Sequence, residues 1–273
     1  MPEGPEIRKA ADAVEKALKE RKVIDISFAF DSLQGYEDIL TGASVTGVDT
    51  KGKAMLTRFD NGYTIYSHNQ LYGKWMVRNA YNYPDTKRQL RLAIHNENKS
   101  ALLYSASDIE VLRDEEVPDH PFIRKIGPDI LSETVTEEEL AERFASERFF
   151  RRKWTSLLLD QSCVAGLGNY LRSEILFVAG IHPSLRPRDS TEEQINKAAR
   201  ATIGLMKQSY YKKGITVDLE IAERMKAQGK KRNQYRHWVF RRSFQPCHVC
   251  TTKIEKIDAG NRRLYYCPHC QAI

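Results

Sequence analysis

Cys247-His248-Val249-Cys250 and Cys267-Pro268-His269-Cys270, sixteen residues apart, decide how the end of this chain folds. Two C-x2-C pairs at that separation can place four thiolates tetrahedrally around one ion, and the residues between them are enough for a β-hairpin. The spacing predicts one structural zinc held by Cys247, Cys250, Cys267 and Cys270. Four thiolates leave no open coordination position, so the metal shapes the tip of the chain instead of catalysing. Two disulfides are the alternative, disfavoured by paired C-x2-C spacing in a chain expected to be cytosolic. His248 and His269 lie inside the knuckles and are read as bystanders. The fifth cysteine, Cys163, stands beside Val164 and Leu167 and reads as a small buried hydrophobe.

Upstream of the first knuckle, Lys226, Lys230, Lys231, Arg232, Arg236, Arg241 and Arg242 are interleaved with Tyr235, Trp238, Phe240 and Phe244. The charge of the chain is concentrated here: residues 221–273 sum to +9, residues 131–220 to 0 and residues 1–130 to −2. A basic block of this kind fits a polyanion, its cations neutralising phosphates while the aromatics stack or pack beneath. Nucleic acid is favoured over an anionic membrane because no amphipathic basic helix is evident in the run. A solvated basic face is the simpler alternative.

At 273 residues, 41% hydrophobic and 29% charged, the chain has the composition of a globular protein of about two domains. No apolar run reaches the roughly 18 residues needed to span a bilayer. The start, Met1-Pro2-Glu3-Gly4-Pro5-Glu6, is acidic where a secretory signal is basic and then apolar. A cytoplasmic monomer without membrane contact is expected.

The hydrophobic pattern changes along the chain. Ile7, Ala10, Ala11, Val14, Ala17 and Leu18 predict an amphipathic helix over residues 6–20. Seven short β segments follow, at 23–30, 44–49, 54–59, 63–67, 74–78, 89–94 and 101–104, suggesting a sandwich or flattened barrel. Past Pro128 the pattern turns helical. Thr136 with Glu139 and Thr191 with Gln194 read as capping boxes, and residues 154–160 and 170–179 as two further helices. The expected division is a β-rich domain at 1–130, a helical domain at 131–236 and a zinc hairpin at 237–273. Between two of the helices, Ala165-Gly166-Leu167-Gly168-Asn169-Tyr170 reads as a tight turn in which Asn169 can cap the next helix. Free amide groups at such a start can hold a phosphate, although a structural turn explains the segment equally well.

Pro2-Glu3-Gly4-Pro5-Glu6-Ile7, Gly52-Lys53, Gly166-Leu167-Gly168-Asn169-Tyr170 and the four-cysteine tail occur in one order. Together they resemble the formamidopyrimidine-DNA glycosylase/endonuclease VIII family over the whole chain. Gly4 and Tyr66-Ser67-His68-Asn69-Gln70-Leu71-Tyr72-Gly73 are similar to its endonuclease VIII branch. The resemblance implies an α+β fold in two domains: an N-terminal β-sandwich with a leading helix, then a helix–two-turns–helix module with a four-cysteine zinc-finger β-hairpin. It also implies base-excision repair of damaged double-stranded DNA, with removal of oxidised pyrimidines and strand cleavage by β,δ-elimination. A same-fold glycosylase preferring oxidised purines and a non-catalytic zinc-finger protein gripping damaged DNA are the alternatives.

The chemistry needs an amine nucleophile. Once Met1 is removed, Pro2 presents a secondary α-amine, of which about a tenth is uncharged at neutral pH, against under about a thousandth of a lysine. A proline here also suits the start of a helix. Glu3 is adjacent and can protonate the sugar ring oxygen, while its simpler role is to complement the helix dipole. By resemblance, Lys53 contacts phosphate and supplies a proton during elimination, and Arg262 at the hairpin tip engages the phosphate at the lesion. Base extrusion leaves a void, and the resemblance assigns its filling to Gln70, Leu71 and Tyr72. Asn169 and Lys125 are carried over as phosphate contacts, Lys125 standing where relatives often have arginine. The stretch 209–236 is longer and more basic than this branch implies, so it bears on base preference.

Overall fold

The computed structural model describes residues 2–273. They form two compact units, residues 2–125 and 126–273.

In the first unit the apolar positions 7, 11, 14 and 18 share one buried face of α1 (Gly4–Leu18), while Arg8 and Asp12 pair on its outer side at 2.8 Å. Strand β1 (Asp25–Phe28) and two single-turn helices, α2 (Asp31–Gln34) and α3 (Glu37–Leu40), follow. Seven further strands complete the unit: β2 (Val45–Lys51), β3 (Ala54–Phe59), β4 (Tyr63–His68), β5 (Lys74–Asn79), β6 (Leu90–His95), β7 (Lys99–Tyr104) and β8 (Asp108–Arg113). Two four-stranded sheets result, ordered β2-β3-β4-β8 and β1-β6-β7-β5, with every pairing antiparallel. Val48, Met55, Phe59 and Ile65 of one sheet share a core with Ile26, Trp75, Leu92 and Leu103 of the other and with Val14 and Leu18 of α1. The architecture is the expected β-sandwich with a leading helix. Seven of its strands match segments predicted from sequence; β8 was not anticipated.

The second unit is helical: α4 (Glu137–Ala145), α5 (Trp154–Leu157), α6 (Asn169–Val178), α7 (Glu192–Tyr211), α8 (Leu219–Ala227) and α9 (Arg232–Tyr235). Both predicted capping boxes form, the Thr136 hydroxyl accepting from the Glu139 amide at 3.1 Å and that of Thr191 from Gln194 at 3.2 Å. The helix predicted over 154–160 is a single turn, because Leu158 to Asp160 leave it in successive tight turns. Phe144, Trp154, Leu171, Ile175 and Met206 form the core. The antiparallel hairpin of β9 (Glu255–Asp258) and β10 (Arg263–Tyr266) inserts Leu264 into that core. Tyr265 packs instead with Phe177 and Cys267.

Candidate active site and nucleic-acid interface

Glu3 is the N-cap of α1, and its backbone N–H donates to the Glu6 carboxylate at 3.0 Å while its own side chain accepts from the Glu6 amide. This capping box leaves Glu3 only 2% exposed, beside a half-buried Pro2. Met1, whose removal would free Pro2, lies outside the described residues. Lys53 is likewise withdrawn from water, at 6% exposure. It occupies the second position of the two-residue loop joining β2 to β3, where Lys51 pairs with Ala54. Gly52 opens that loop at φ +59°, a backbone that glycine adopts without steric cost. Helix α1 packs against both of these strands.

His68 ends β4 directly opposite Ala54, the neighbour of Lys53. Burial pushes its imidazole pKa below the usual value; Asp108 opposes the shift, and the Lys53 ammonium reinforces it. The neutral ring can accept at Nδ1, and the Gln70 N–H donates to it at 3.1 Å. Beyond His68 the chain makes a tight loop, closed by the Gly73 N–H donating to the Asn69 carbonyl at 2.7 Å. A Cβ on Gly73 would lie 2.6 Å from Asn69 backbone atoms, so this position requires glycine. The loop lifts Leu71 and Tyr72 into solvent at 61% and 70% exposure, above a buried Asn69. Large apolar side chains projecting together from an anchored turn have the form of a wedge.

Lys125 closes a short 3-10 turn, Ile123–Lys125, and is exposed beside the equally exposed Arg124. In the second unit the glycine-rich turn is held by Gln161, which sequence reasoning missed. Its Nε2 donates to the carbonyls of Leu159 and Leu167 at 3.1 and 3.0 Å, and its Oε1 accepts from the Gly166 N–H at 3.0 Å. Asn169 does not cap α6, contrary to expectation: Gly168 holds the extended N-cap backbone, and Asn169 is the first helical residue. The Asn169 Oδ1 is shut off from solvent with no hydrogen-bond partner. This unsatisfied acceptor does not itself favour an anion, since phosphate at a helix start is held by N–H donors.

The four cysteines of the tail lie together, their sulfurs within 4.8 Å of one another. The Sγ separations are 3.9 Å for Cys247–Cys270 and 3.4 Å for both Cys250–Cys267 and Cys250–Cys270. These distances exclude disulfides. They bracket the edge of about 3.8 Å that a tetrahedron with metal–sulfur bonds of about 2.3 Å requires. The Val249 and Cys270 amides donate to the first sulfur of their knuckles at 3.4 Å, stabilising thiolates. Neither His248 nor His269 joins the cluster. The site fits one structural zinc ion. Cys163 is fully buried apart from it, its thiol pushed by burial up to about 12.

Arg262 is exposed at the hairpin tip, where Gly260 and Asn261 take φ of +61° and +58° and the Ala259 N–H donates to the Arg262 carbonyl at 2.9 Å. Beneath it, the wholly buried Arg172 of α6 donates to the carbonyls of Thr155 at 2.9 Å and Arg263 at 3.1 Å. Glu174, two residues on, is also fully buried and accepts from the amides of Trp238, Val239 and Phe240 at 2.7, 2.9 and 2.9 Å. Neither residue was anticipated.

The basic run divides. Lys226, Lys230, Lys231 and Arg232 are exposed, while Arg242 is buried and donates to the carbonyls of Trp238 and Pro246. Arg236 donates to Gly214 at 2.8 Å. Arg242 is therefore a backbone brace, which corrects its reading as a phosphate ligand, whereas Arg236 is only half-buried. Trp238 packs on Phe177 and Phe240 on Tyr170, whereas Phe244 stays exposed. No amphipathic basic helix is evident in the sequence of this run; α8 ends within it at Ala227, and the single-turn α9 lies inside it. The amides of Thr216 and Val217 donate to the Arg236 carbonyl at 2.9 and 3.5 Å, so both helices project from a closed base.

Comparisons with known proteins match these parts in the same order. The formamidopyrimidine-DNA glycosylase N-terminal domain matches residues 1–107. The formamidopyrimidine-DNA glycosylase H2TH domain matches residues 126–220, and the zinc finger found in FPG and IleRS matches 244–273. Endonuclease 8 of Salmonella arizonae is 45% identical over 271 residues, 99% of this chain and 100% of that protein, and Endonuclease 8 of Salmonella typhimurium matches equally. Among solved structures, the Lactococcus lactis formamidopyrimidine-DNA glycosylase bound to abasic-site DNA shares the fold. Its TM-score is 0.82 at 22% identity, covering 99% of this chain and 100% of that one. No helix among the described residues is long and apolar enough to cross a membrane. With its sandwich, helical module and zinc hairpin matched in order, and with full-length relatives at 45% identity, the chain belongs to the formamidopyrimidine-DNA glycosylase/endonuclease VIII family of DNA-repair glycosylases and abasic-site lyases.

Proposed function

We propose that this enzyme removes oxidised pyrimidines from double-stranded DNA through the amine of Pro2, acting as a monomer in the cytosol. The Pro2 nitrogen, freed of Met1, attacks the deoxyribose C1′, and the damaged base departs with its bonding electrons and takes up the proton that the amine gives off. Glu3 protonates the ring oxygen, so the sugar opens and an iminium forms. Loss of a C2′ proton then expels the 3′ phosphate, and a second elimination expels the 5′ phosphate. Lys53 and Arg262 bear the phosphate charge in these steps, Lys53 also returning a proton. Gln70, Leu71 and Tyr72 fill the space the base leaves, and Lys125 and Asn169 hold flanking phosphates.

The observation that carries this reading is the burial of Glu3 beside Pro2. The capping box that pairs this carboxyl also holds it in place beside Pro2. Glu3 thus caps α1 and directly follows the candidate nucleophile in the chain. The preference for pyrimidines rests on the resemblance of Gly4 and residues 66–73 to the endonuclease VIII branch, which the relatives named Endonuclease 8 support.

Borohydride reduction during turnover tests the proposal. A duplex carrying an oxidised thymine should yield a covalent adduct that mass spectrometry places on Pro2, and an added N-terminal residue should abolish it. An adduct on another side chain would overturn the mechanism. Faster release from a matched duplex carrying oxidised guanine would overturn the base preference.

A further inference from the structure

Gln70 is a non-glycine residue at φ +46°, a strained backbone for an L-residue. Such a conformation persists only where its surroundings hold it. His68 accepts from the Gln70 N–H on one side of the wedge loop, and two further groups reach it from the connections that precede β6 and β8. The Ser107 hydroxyl donates to the Gln70 Oε1 at 2.9 Å. The Arg88 guanidinium donates to the Tyr72 carbonyl.

These two side chains share an origin. The Ser105 N–H donates to the Gln89 carbonyl at 2.8 Å, which ties the entry of β6 to the exit of β7. Arg88 immediately precedes that rung, and Ser107 follows it by two residues. The segment before Arg88 is fixed as well: Tyr81 stacks on His95 at 4.4 Å, and the Tyr83 hydroxyl meets the His95 Nε2 at 3.0 Å. Both supports are themselves exposed and contribute nothing to the sandwich core, so their one visible task is to hold the loop.

We propose that Ser107 and Arg88 are positioning residues that preset the Gln70-Leu71-Tyr72 wedge for insertion into the duplex. This rests on the wedge reading given above. The supports fix both flanks of the tip, so the loop enters the helix without first paying the entropy of ordering. They touch no reacting atom, and their effect is confined to the step that needs the wedge. A single-stranded abasic site offers neither a base to extrude nor a stack to hold open, and its cleavage does not require them.

The test compares excision of a damaged base from a duplex with cleavage of a single-stranded abasic site in Ser107→Ala, Arg88→Ala and Arg88→Lys, with Leu71→Ala as benchmark. Ser107→Ala and Arg88→Ala should each lower duplex kcat/KM about fivefold, the worth of one hydrogen bond, and leave single-strand cleavage at the wild-type rate. Arg88→Lys keeps a donor for a lone carbonyl and should recover most of the loss. If Leu71→Ala lowers the duplex rate selectively but the support variants do not, the positioning role is overturned and the wedge stands. If Leu71→Ala has no selective effect, the wedge reading falls and the positioning role with it. Equal loss on both substrates in the support variants would also refute the proposal. The damaged base is whichever the wild-type protein releases fastest, so a wrong base preference does not decide the outcome.

Discussion

The guanidinium of Arg172 donates to the backbone carbonyl of Arg263 at 3.1 Å, so a side chain buried on α6 sets the position of the zinc hairpin at its tip. The same group donates to Thr155 at 2.9 Å, binding α5, α6 and β10 together. Replacing it with methionine keeps the volume but leaves these carbonyls unpaired in a closed interior. Arg172→Met should therefore lower unfolding stability by about 3 kcal/mol, measured by denaturant titration. If Arg262 assists the second elimination, the variant should also accumulate the β-elimination product, visible on a sequencing gel. Unchanged stability would show that the hairpin is positioned by its zinc alone.

Glu3 has two roles that one substitution can separate. Gln retains the acceptor oxygen of the capping box but cannot give up a proton. Glu3→Gln should thus melt with the wild type and bind duplex DNA, yet lose base removal. It should still nick a preformed abasic site, whose hemiacetal ring opens to the aldehyde without an enzymic acid. Glu3→Ala should in addition lose about 1 kcal/mol of stability with the cap. Undiminished turnover by Glu3→Gln would refute the acid role.

His237 links stability to pH. Its ring is buried against the Thr216 hydroxyl at 2.8 Å, with the Glu174 carboxylate at 3.9 Å. Burial first, then Arg236, Arg241, Arg232 and Arg242, depress its pKa to about 2. Between that value and the unfolded value near 6.5, the unfolded chain binds the proton and the folded one does not. The His237 contribution is complete above pH 6.5 and declines as pH falls, by about 2 kcal/mol at pH 5. Glu174 has the opposite sign, because burial raises its pKa: its contribution is complete below the ordinary 4.5 and is lost as pH rises through the folded value. The variant therefore isolates the histidine. His237→Asn should shrink the stability difference between pH 7 and pH 5 by about 2 kcal/mol, and an unaltered difference would exclude His237 as the source.

The elements that sequence made legible are those whose signals are local. The cysteine knuckles, the two threonine caps and the apolar stripe of α1 each lie within a few residues, and each formed as expected. Strand β8 was missed although Ile109 and Val111 alternate inward, because flanking acids make the segment look like a loop. Helix α8 buries only Ala222 and so has almost no apolar periodicity; its one local mark is Asp218, whose carboxylate accepts from the amides of Glu220 and Ile221 at 2.9 and 3.1 Å. Arg172 and Glu174 escaped notice for another reason. They sit inside an apolar helix, and the backbone groups that justify their burial come from distant parts of the chain. Composition could place the positive charge, but not tell which cations face solvent.

That last distinction is open to measurement through salt. Lys230, Lys231 and Arg232 are exposed, whereas Arg242 spends its donors on the carbonyls of Trp238 and Pro246. A cation that touches phosphate releases a counterion, steepening the fall of log K with log salt by about 0.9 per contact. Neutralising Lys230 and Lys231 together should flatten that slope by up to about 1.8 and leave the melting temperature unchanged. Arg242→Gln should do the reverse: a lower melting temperature, with the slope kept in whatever protein remains folded. Fluorescence anisotropy on one duplex across a salt series reads the slopes. Should the lysine pair leave the slope intact, the exposed part of the basic run is a solvated face, and the polyanion is gripped elsewhere.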